Sequence, residues 1–284
     1  MYNNGVLLLR ENDHNMKNIL SIIFGKKYIG IWLAILFYIL FSMVTSIYRY
    51  RVDGTVWFLV NSLQRLLFGL IELMLFMKCF QKKDWKEVLN FKGYKKGLLA
   101  GSGIILFIIY FVILYITGVS GIVGLTFPLA FSQLFCQQIT TGFFEEITYR
   151  GFILEGYFYH EKQKVSTRLI YTLVSFLLFG SGHLMNCTSW SDGVFRMVTT
   201  GIIGMSFTAI YLYSHNLLIA MILHFIFDIP ANLIIYANWS NTVIKVFLDD
   251  IFYGMYIIIG ITSLIFIIKA GNNSNCQQEA ASIS

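Results

Sequence analysis

The chain has 284 residues, of which 57% are hydrophobic and only 13% are charged, and its mean hydropathy is +0.67. Soluble domains carry roughly 25% charged residues, so this composition excludes an ordinary soluble enzyme. The 26 Phe, 17 Tyr and 5 Trp against 2 Pro suit long apolar helices with aromatic anchors at the membrane interface. A disordered or collagen-like chain is excluded by the same balance.

Charged residues are spaced widely enough for helices that cross a membrane, which need roughly 20 apolar residues each. The run from Gly97 to Phe144 has no charge and is about twice as long as one crossing, so it must fold back. The turn signal is Gly118–Gly121, with Pro128 beyond it. We predict an all-α, polytopic integral membrane protein with eight spans: Tyr28–Tyr48, Val56–Phe80, Leu98–Thr117, Phe127 onward, Leu169–Met185, Val194–Tyr213, Leu217–Tyr236 and Ile251–Ile268.

The predicted membrane domain covers residues 28–270, with a catalytic core at about 127–236, after an N-terminal segment (1–27) and before a polar tail (271–284). In this topology fourteen Lys and Arg residues flank one side of the membrane and four the other. Basic residues in short loops stay cytoplasmic, so both termini are predicted to be cytoplasmic in a multi-pass cell-membrane protein. The net charge of +6 fits anionic lipid and gives no support for nucleic-acid binding. Richness in Lys, Asn and Ile points to a bacterial source, and the oligomeric state is left open.

Ionisable groups inside a span are costly and are functional candidates by default. Glu146 and Arg150 lie four residues apart on one helix face, in the favourable acid-first order, and are expected to neutralise each other. Glu145 lies about 140° around the helix from Arg150, which leaves its carboxylate available for proton transfer. The alternative is that all three residues form one buried network.

Two histidines lie on later spans. His224 and Asp228 are four residues apart and share a helix face, and His183 follows Gly180 and Gly182, which leave room for water or substrate. A hairpin turning at 162–164 would place Glu145 and His183 at similar depth. A lone histidine in an apolar helix is usually a hydrogen-bonded core residue, but two of them with a surplus carboxylate favour a reactive site.

The second predicted span, and the part of the fourth that precedes Glu145, carry polar groups whose roles the sequence leaves open. Arg65 and Glu72 lie seven residues apart on one helix face, too far for a direct pair, so each needs its own partner. A structural role is favoured over a place in a substrate groove. The polar stretch 137–141 before Glu145 either lines a water-filled cavity or bonds neighbouring helices.

Three motifs follow one another on successive apolar helices: E-E-x-x-x-R at Glu145–Arg150, F-x-x-x-H at Phe179–His183 and H-x-x-x-D at His224–Asp228. In this order they resemble the CPBP intramembrane endopeptidases, the family of CAAX proteases and bacteriocin-processing or Abi proteins. The resemblance covers roughly residues 127–236. It implies an eight-helix membrane fold and peptide-bond hydrolysis.

The resemblance also implies roles for the motif residues. Glu145 with His183 would activate a water for attack on a peptide carbonyl, and His224 with Asp228 would stabilise the oxyanion, supported by Glu146 and Arg150. The family motif often ends in Asn where this chain has Asp228. Because a carboxylate donates a hydrogen bond only when protonated, Asp228 would instead orient or charge His224.

Two forms of catalysis stay open. In the first, no cofactor is needed and Glu145 acts as the base. In the second, a zinc ion is held by Glu145, His183, His224 and Asp228, a ligand set of His and carboxylates that suits zinc. There is no H-E-x-x-H motif, so such a site would be assembled across helices.

The expected partners are the lipid bilayer and a membrane-associated peptide or protein substrate. Peptide or bacteriocin processing and self-immunity are the expected contexts, ahead of prenyl-protein processing. The alternative is a non-catalytic membrane partner that regulates a sensor kinase or confers bacteriocin immunity by binding. A proton- or ion-coupled transporter is a further rival, without an inverted repeat or broken-helix pair to support it.

Overall fold

The computed structural model of the chain describes residues 24–49, 51–52, 54–184, 187, 189–239 and 242–270. Most of the predicted N-terminal segment and all of the polar tail lie outside these residues. The first two helices, α1 (Ile29–Tyr48) and α2 (Gly54–Cys79), agree with the first two predicted spans within about two residues. They are followed by a short helix, α3 (Trp85–Val88), in the basic loop.

The third predicted span is bent. Helices α4 (Tyr94–Ala100) and α5 (Ser102–Gly118) meet at an angle of 66°. The bend falls at Gly101, whose ψ of 7° is not helical. A Cβ there would lie 2.8 Å from Cδ1 of Leu223, so the absence of a side chain also permits close packing. The prediction of one span over Leu98–Thr117 missed this bend.

Two short strands interrupt an otherwise helical chain. The turn predicted after α5 contains β1 (Val119–Ile122), which pairs antiparallel with β2 (Ala237–Trp239) and has an irregularity in register between Val119 and Gly121. Together they join the end of α5 to the segment that follows the seventh span.

The fourth span is one long helical segment, residues 127–159, which we call the composite helix. Pro128 lies in its first turn, where a missing backbone N–H costs nothing. The segment runs through α6 (Phe127–Ala130), a π-helical stretch (Phe131–Gln137), α7 (Gln138–Glu146), a second π-helical stretch (Ile147–Phe152), α8 (Ile153–Glu155) and a 3-10 turn (Gly156–Tyr159). Widened π turns are frequent at functional sites, and here they flank the helix that carries both motif glutamates.

The remaining helices are α9 (Val165–Ser181), α10 (Trp190–Ser214), α11 (Leu217–Leu233) and α12 (Thr242–Lys269), with a 3-10 turn (Ile234–Tyr236) after α11. Ser189 and Asn216 cap α10 and α11 by accepting hydrogen bonds from backbone N–H groups of their first turns. Helix α9 ends four residues before the predicted end of the fifth span, because the chain turns at Gly182.

The all-α, multi-pass membrane class is confirmed. Among the described residues, five helices are long and apolar enough to cross a membrane, and six if α4 and α5 form one bent span. The composite helix and the 17-residue α9 fall outside that count. The number of eight spans therefore stays a prediction.

The composite helix lies at the centre of the packing. Its residues Ile147, Phe152, Ile153 and Leu154 are fully buried, and it contacts helices from both halves of the chain. Helix α1 approaches it most closely at Gly30, where a Cβ would lie 1.7 Å from the carbonyl oxygen of Phe152. Only glycine fits this crossing without a shift of backbone.

We expect Gly30→Ala to lower the free energy of unfolding by about 1–3 kcal/mol, the usual cost of overpacking a tight contact. The measurement is the midpoint of unfolding in detergent. Gly254→Ala is the matched control, because a Cβ there has nothing within 4 Å and the helix interior favours alanine. Equal midpoints for Gly30→Ala and wild type would contradict the packing of α1 on the composite helix.

Candidate active site

Glu146 and Arg150 form the ion pair that their spacing predicts. Oε1 of Glu146 lies 3.1 Å from Nη1 of Arg150, and both side chains are 0% exposed. Nη2 of Arg150 donates to the carbonyl oxygen of Gly204 at 2.9 Å, and the guanidinium lies 4.4 Å from the ring centroid of Phe179. A buried charge needs such partners, so this pair fixes the register of the composite helix against α9 and α10.

His224 joins the same buried network. Its Nδ1 donates to Oε1 of Glu146 at 2.7 Å, and its ring stacks on Phe207 with centroids 4.5 Å apart. The two helices come this close at Gly142, where a Cβ would lie 2.9 Å from the carbonyl oxygen of Met221. Helical spacing predicts the pair of Glu146 with Arg150 but not the bond from Glu146 to His224.

Glu145 lies outside the ion pair, as predicted, and borders a cavity. Its side chain is 14% exposed, and Oε2 lies 3.8 Å from Nε2 of His224. Oδ2 of Asp228 lies 3.4 Å from the same nitrogen, so this edge of the ring faces two carboxylates. The expected shared face of His224 and Asp228 is therefore present. The alternative network of Glu145, Glu146 and Arg150 is replaced by one of Glu146, Arg150 and His224.

His183 lies in the turn after α9 and is exposed, not on the helix as predicted. Its Nδ1 is 3.0 Å from the carbonyl oxygen of Phe179 and donates to it in the tautomer that carries the proton there. That tautomer leaves Nε2 as a hydrogen-bond acceptor. His183 and Glu145 border the same cavity, and their similar depth in the membrane stays a prediction.

The cavity has two chambers that share the side chains of the candidate site. The apolar chamber, of about 270 Å³, is walled by Phe111, Phe179, Ile203, Phe227, Phe252 and Tyr256. The polar chamber, of about 460 Å³, includes Tyr38, Trp57, Arg65, Gln137, Gln138 and Asn232. Both are bordered by Thr141, Glu145, His183, Thr200 and Asp228.

The polar stretch before Glu145 serves both functions considered for it. Gln137 and Gln138 line the polar chamber, and Gln137 also donates across to Oδ1 of Asn61 on α2 at 3.3 Å. Thr140 hydroxyl bonds remain within its own helix. The chamber is thus lined by amide groups that can bind water.

Glu72 and Arg65 have separate surroundings, as their spacing predicts. The hydroxyl of Thr148 lies 2.8 and 2.9 Å from the two carboxylate oxygens of Glu72, to which it can donate its single proton, and Glu72 is fully buried. Its role is structural, holding α2 against the composite helix. Arg65 instead lines the polar chamber beside the candidate site.

The described residues hold no group of three or more His, Cys, Asp or Glu side chains that could bind a metal ion. Nδ1 of His224 bonds Glu146, and Nδ1 of His183 faces a backbone carbonyl, which leaves one nitrogen of each ring. Metal-ligating histidines usually bond a carboxylate or a backbone carbonyl through their other nitrogen, so the zinc ion considered for Glu145, His183, His224 and Asp228 stays a prediction.

Residues 127–230 match the family model of type II CAAX prenyl endopeptidases, Rce1-like. The match contains all three motifs and indicates a membrane protease, a hydrolase that acts in the bilayer on a membrane-associated substrate. Over this segment the chain is similar to the CPBP or CAAX protease family, as the motifs predicted. The comparisons with curated proteins and with solved structures gave no match.

Proposed function

We propose that this protein is an intramembrane endopeptidase that hydrolyses peptide bonds of membrane-associated peptides or proteins with a water activated by Glu145 and His183. The observation that carries the proposal is the difference between the two glutamates. Glu146 is committed to Arg150 and His224, whereas Glu145 faces the cavity. A carboxylate free of a permanent cation partner is the group that can accept a proton from water.

In the proposed reaction Glu145 acts first as a base and then as an acid. Glu145 takes a proton from a water whose second hydrogen bonds Nε2 of His183. The hydroxide formed attacks the peptide carbonyl carbon, and the carbonyl oxygen becomes an oxyanion. The proton then passes from Glu145 to the amide nitrogen as the C–N bond breaks. The products are a carboxylic acid and an amine, the acid then passes its proton to the amine to give a carboxylate and an ammonium group, and Glu145 returns to its ionised form.

In the proposed reaction His224 stabilises the oxyanion. The bond from Nδ1 to Glu146 fixes the ring, and Nε2 faces the cavity between Glu145 and Asp228. With both nitrogens protonated, the imidazolium offers a donor to developing negative charge. Asp228 then favours that charged form, which is the role an aspartate can take where related proteins often have asparagine.

The substrate context is part of the proposal. In a bacterial membrane, maturation of a peptide or bacteriocin, or self-immunity against one, would supply an apolar peptide substrate. The apolar chamber would hold the membrane-facing side of the substrate, and the polar chamber the side that carries more polar groups.

The experiment compares wild type, Glu145→Gln and His183→Ala in detergent on a library of apolar peptides, with products read by mass spectrometry. Parallel samples contain a chelator, or chelator followed by added zinc. The proposal expects cleavage that both substitutions abolish and that the chelator leaves unchanged. Loss on chelation with recovery in zinc would favour the metal form. Absence of cleavage by wild type would leave a non-catalytic binding partner as the better account.

A further inference from the structure

Two arginines border the polar chamber, Arg65 and Arg196, and of these only Arg65 has no carboxylate within 4.0 Å among the described residues. It lies on α2, with its guanidinium 5.3 Å from the ring centroid of Phe41. Its Nε and Nη1 are buried and have no hydrogen-bond partner, and no carboxylate in the described part of the chain lies within 4.0 Å of it. Nε and Nη1 of Arg150 also have no hydrogen-bond partner, but the charge of Arg150 is compensated by Glu146 and its Nη2 donates to a backbone carbonyl.

An unpaired guanidinium inside an apolar domain is costly, and the cost falls when a ligand supplies the missing acceptors. The five N–H groups of arginine form a planar fork that matches the two oxygens of a carboxylate. The chamber that Arg65 lines also contains Glu145, Asp228 and the amides of Gln137 and Gln138. A peptide bound at Glu145 and extending into this chamber would therefore lie next to Arg65.

We propose that Arg65 binds a carboxylate of the substrate, on the side of the scissile bond that occupies the polar chamber. The inference rests on the proposed peptidase function and narrows its substrate to peptides with an acidic group near the cleavage point. That group is either a free C-terminal carboxylate or an Asp or Glu side chain. Arg65 thus acts as a specificity residue, separate from the groups that activate water.

The test uses apolar peptides in detergent, made in pairs that differ by one carboxylate. In one set the two members are the C-terminal acid and the C-terminal amide. In the other set they carry Glu or Gln at one internal position, and each internal position is tested in turn. Wild type, Arg65→Gln and Arg65→Lys are compared for kcat and KM. Arg196→Gln is the matched control, because Arg196 lines the same chamber but is already paired with Asp192 at 2.9 Å.

Wild type is expected to prefer the carboxylate-bearing member of a pair, and Arg65→Gln to raise KM for that member at least about 10-fold, the scale of a charged hydrogen bond. The neutral member should keep its KM, Arg65→Lys should keep part of the preference, and Arg196→Gln should keep all of it. A preference for the C-terminal acid over the amide identifies the terminus as the group bound. A preference for internal Glu over Gln identifies a side chain.

Equal rates on both members of each pair by wild type would overturn the inference while leaving the peptidase proposal intact. The inference would also be overturned if Arg65→Gln lowered the cleavage rate equally for the acidic and the neutral peptide of a pair and shifted the pH profile of kcat. Arg65 would then act on Glu145 and not on the substrate. If wild type cleaves nothing, the peptidase proposal fails by itself.

Binding of the same peptides, labelled with fluorescein, then still decides the inference. The affinities of Glu145→Gln and of Glu145→Gln/Arg65→Gln are measured for the acid and for the amide peptide. If the two variants bind the acid peptide equally well, the inference is overturned.

Discussion

Glu145→Gln is expected to lower the rate of peptide cleavage by at least about 100-fold, the lower end of what a general base contributes. The substitution keeps the shape of the side chain and removes its basicity. It should leave the free energy of unfolding unchanged, because Glu145 takes no part in the buried pair of Glu146 and Arg150. The measurements are initial rates on a cleaved library peptide and the unfolding midpoint of the same preparations.

The neighbouring glutamate gives the sharpest comparison. Glu146→Gln should lower both the free energy of unfolding and the rate of peptide cleavage, because it breaks contacts to Arg150 and His224. Glu161→Gln, on an exposed loop residue, is the control for loss of a charge alone. A Glu145→Gln protein that cleaves at the wild-type rate, beside an inactive but stable Glu146→Gln protein, would reverse the roles given to the two residues.

Arg150→Met is expected to lower the free energy of unfolding by about 3–5 kcal/mol, the usual cost of leaving one member of a buried ion pair without its partner. The side chain is fully buried and lies between two aromatic rings, so methionine fills much of its volume. The substitution removes the positive charge that compensates the buried carboxylate of Glu146. Unfolding midpoints in detergent measure this.

The double variant separates charge from packing. Glu146→Gln/Arg150→Met removes both charges and should be more stable than Arg150→Met alone, because no uncompensated carboxylate remains. Arg51→Met, on an exposed residue after α1, should change stability by less than about 0.5 kcal/mol. Equal stability of Arg150→Met and wild type would mean that this pair does not hold the composite helix in place.

Much of the fold follows from hydropathy. The bounds of α1, α2 and α10 agree with the predicted spans to within a few residues, because uninterrupted apolar runs leave helix as the structure that satisfies the backbone in lipid. The bend at Gly101 and the early end of α9 were missed. Both depend on which neighbour packs against a glycine, and hydropathy carries no information about that.

The candidate site was predictable where helical spacing decides it. The pair of Glu146 and Arg150 and the shared face of His224 and Asp228 follow from residues four apart on one helix. The bond from His224 to Glu146 and the place of Arg65 in the polar chamber depend on how different helices meet. A single sequence gives the faces of each helix but not the rotation that brings two of them together.

Glu145 is proposed to activate water and not to attack the substrate itself, and a single-turnover cleavage in ¹⁸O-labelled water distinguishes these two mechanisms. With enzyme in excess over a cleaved library peptide, the new C-terminal carboxylate is expected to carry ¹⁸O from the first turnover in wild type, with no product in Glu145→Gln. A first-turnover carboxylate that contains only ¹⁶O would show that an enzyme carboxylate had supplied the oxygen, and would contradict the account.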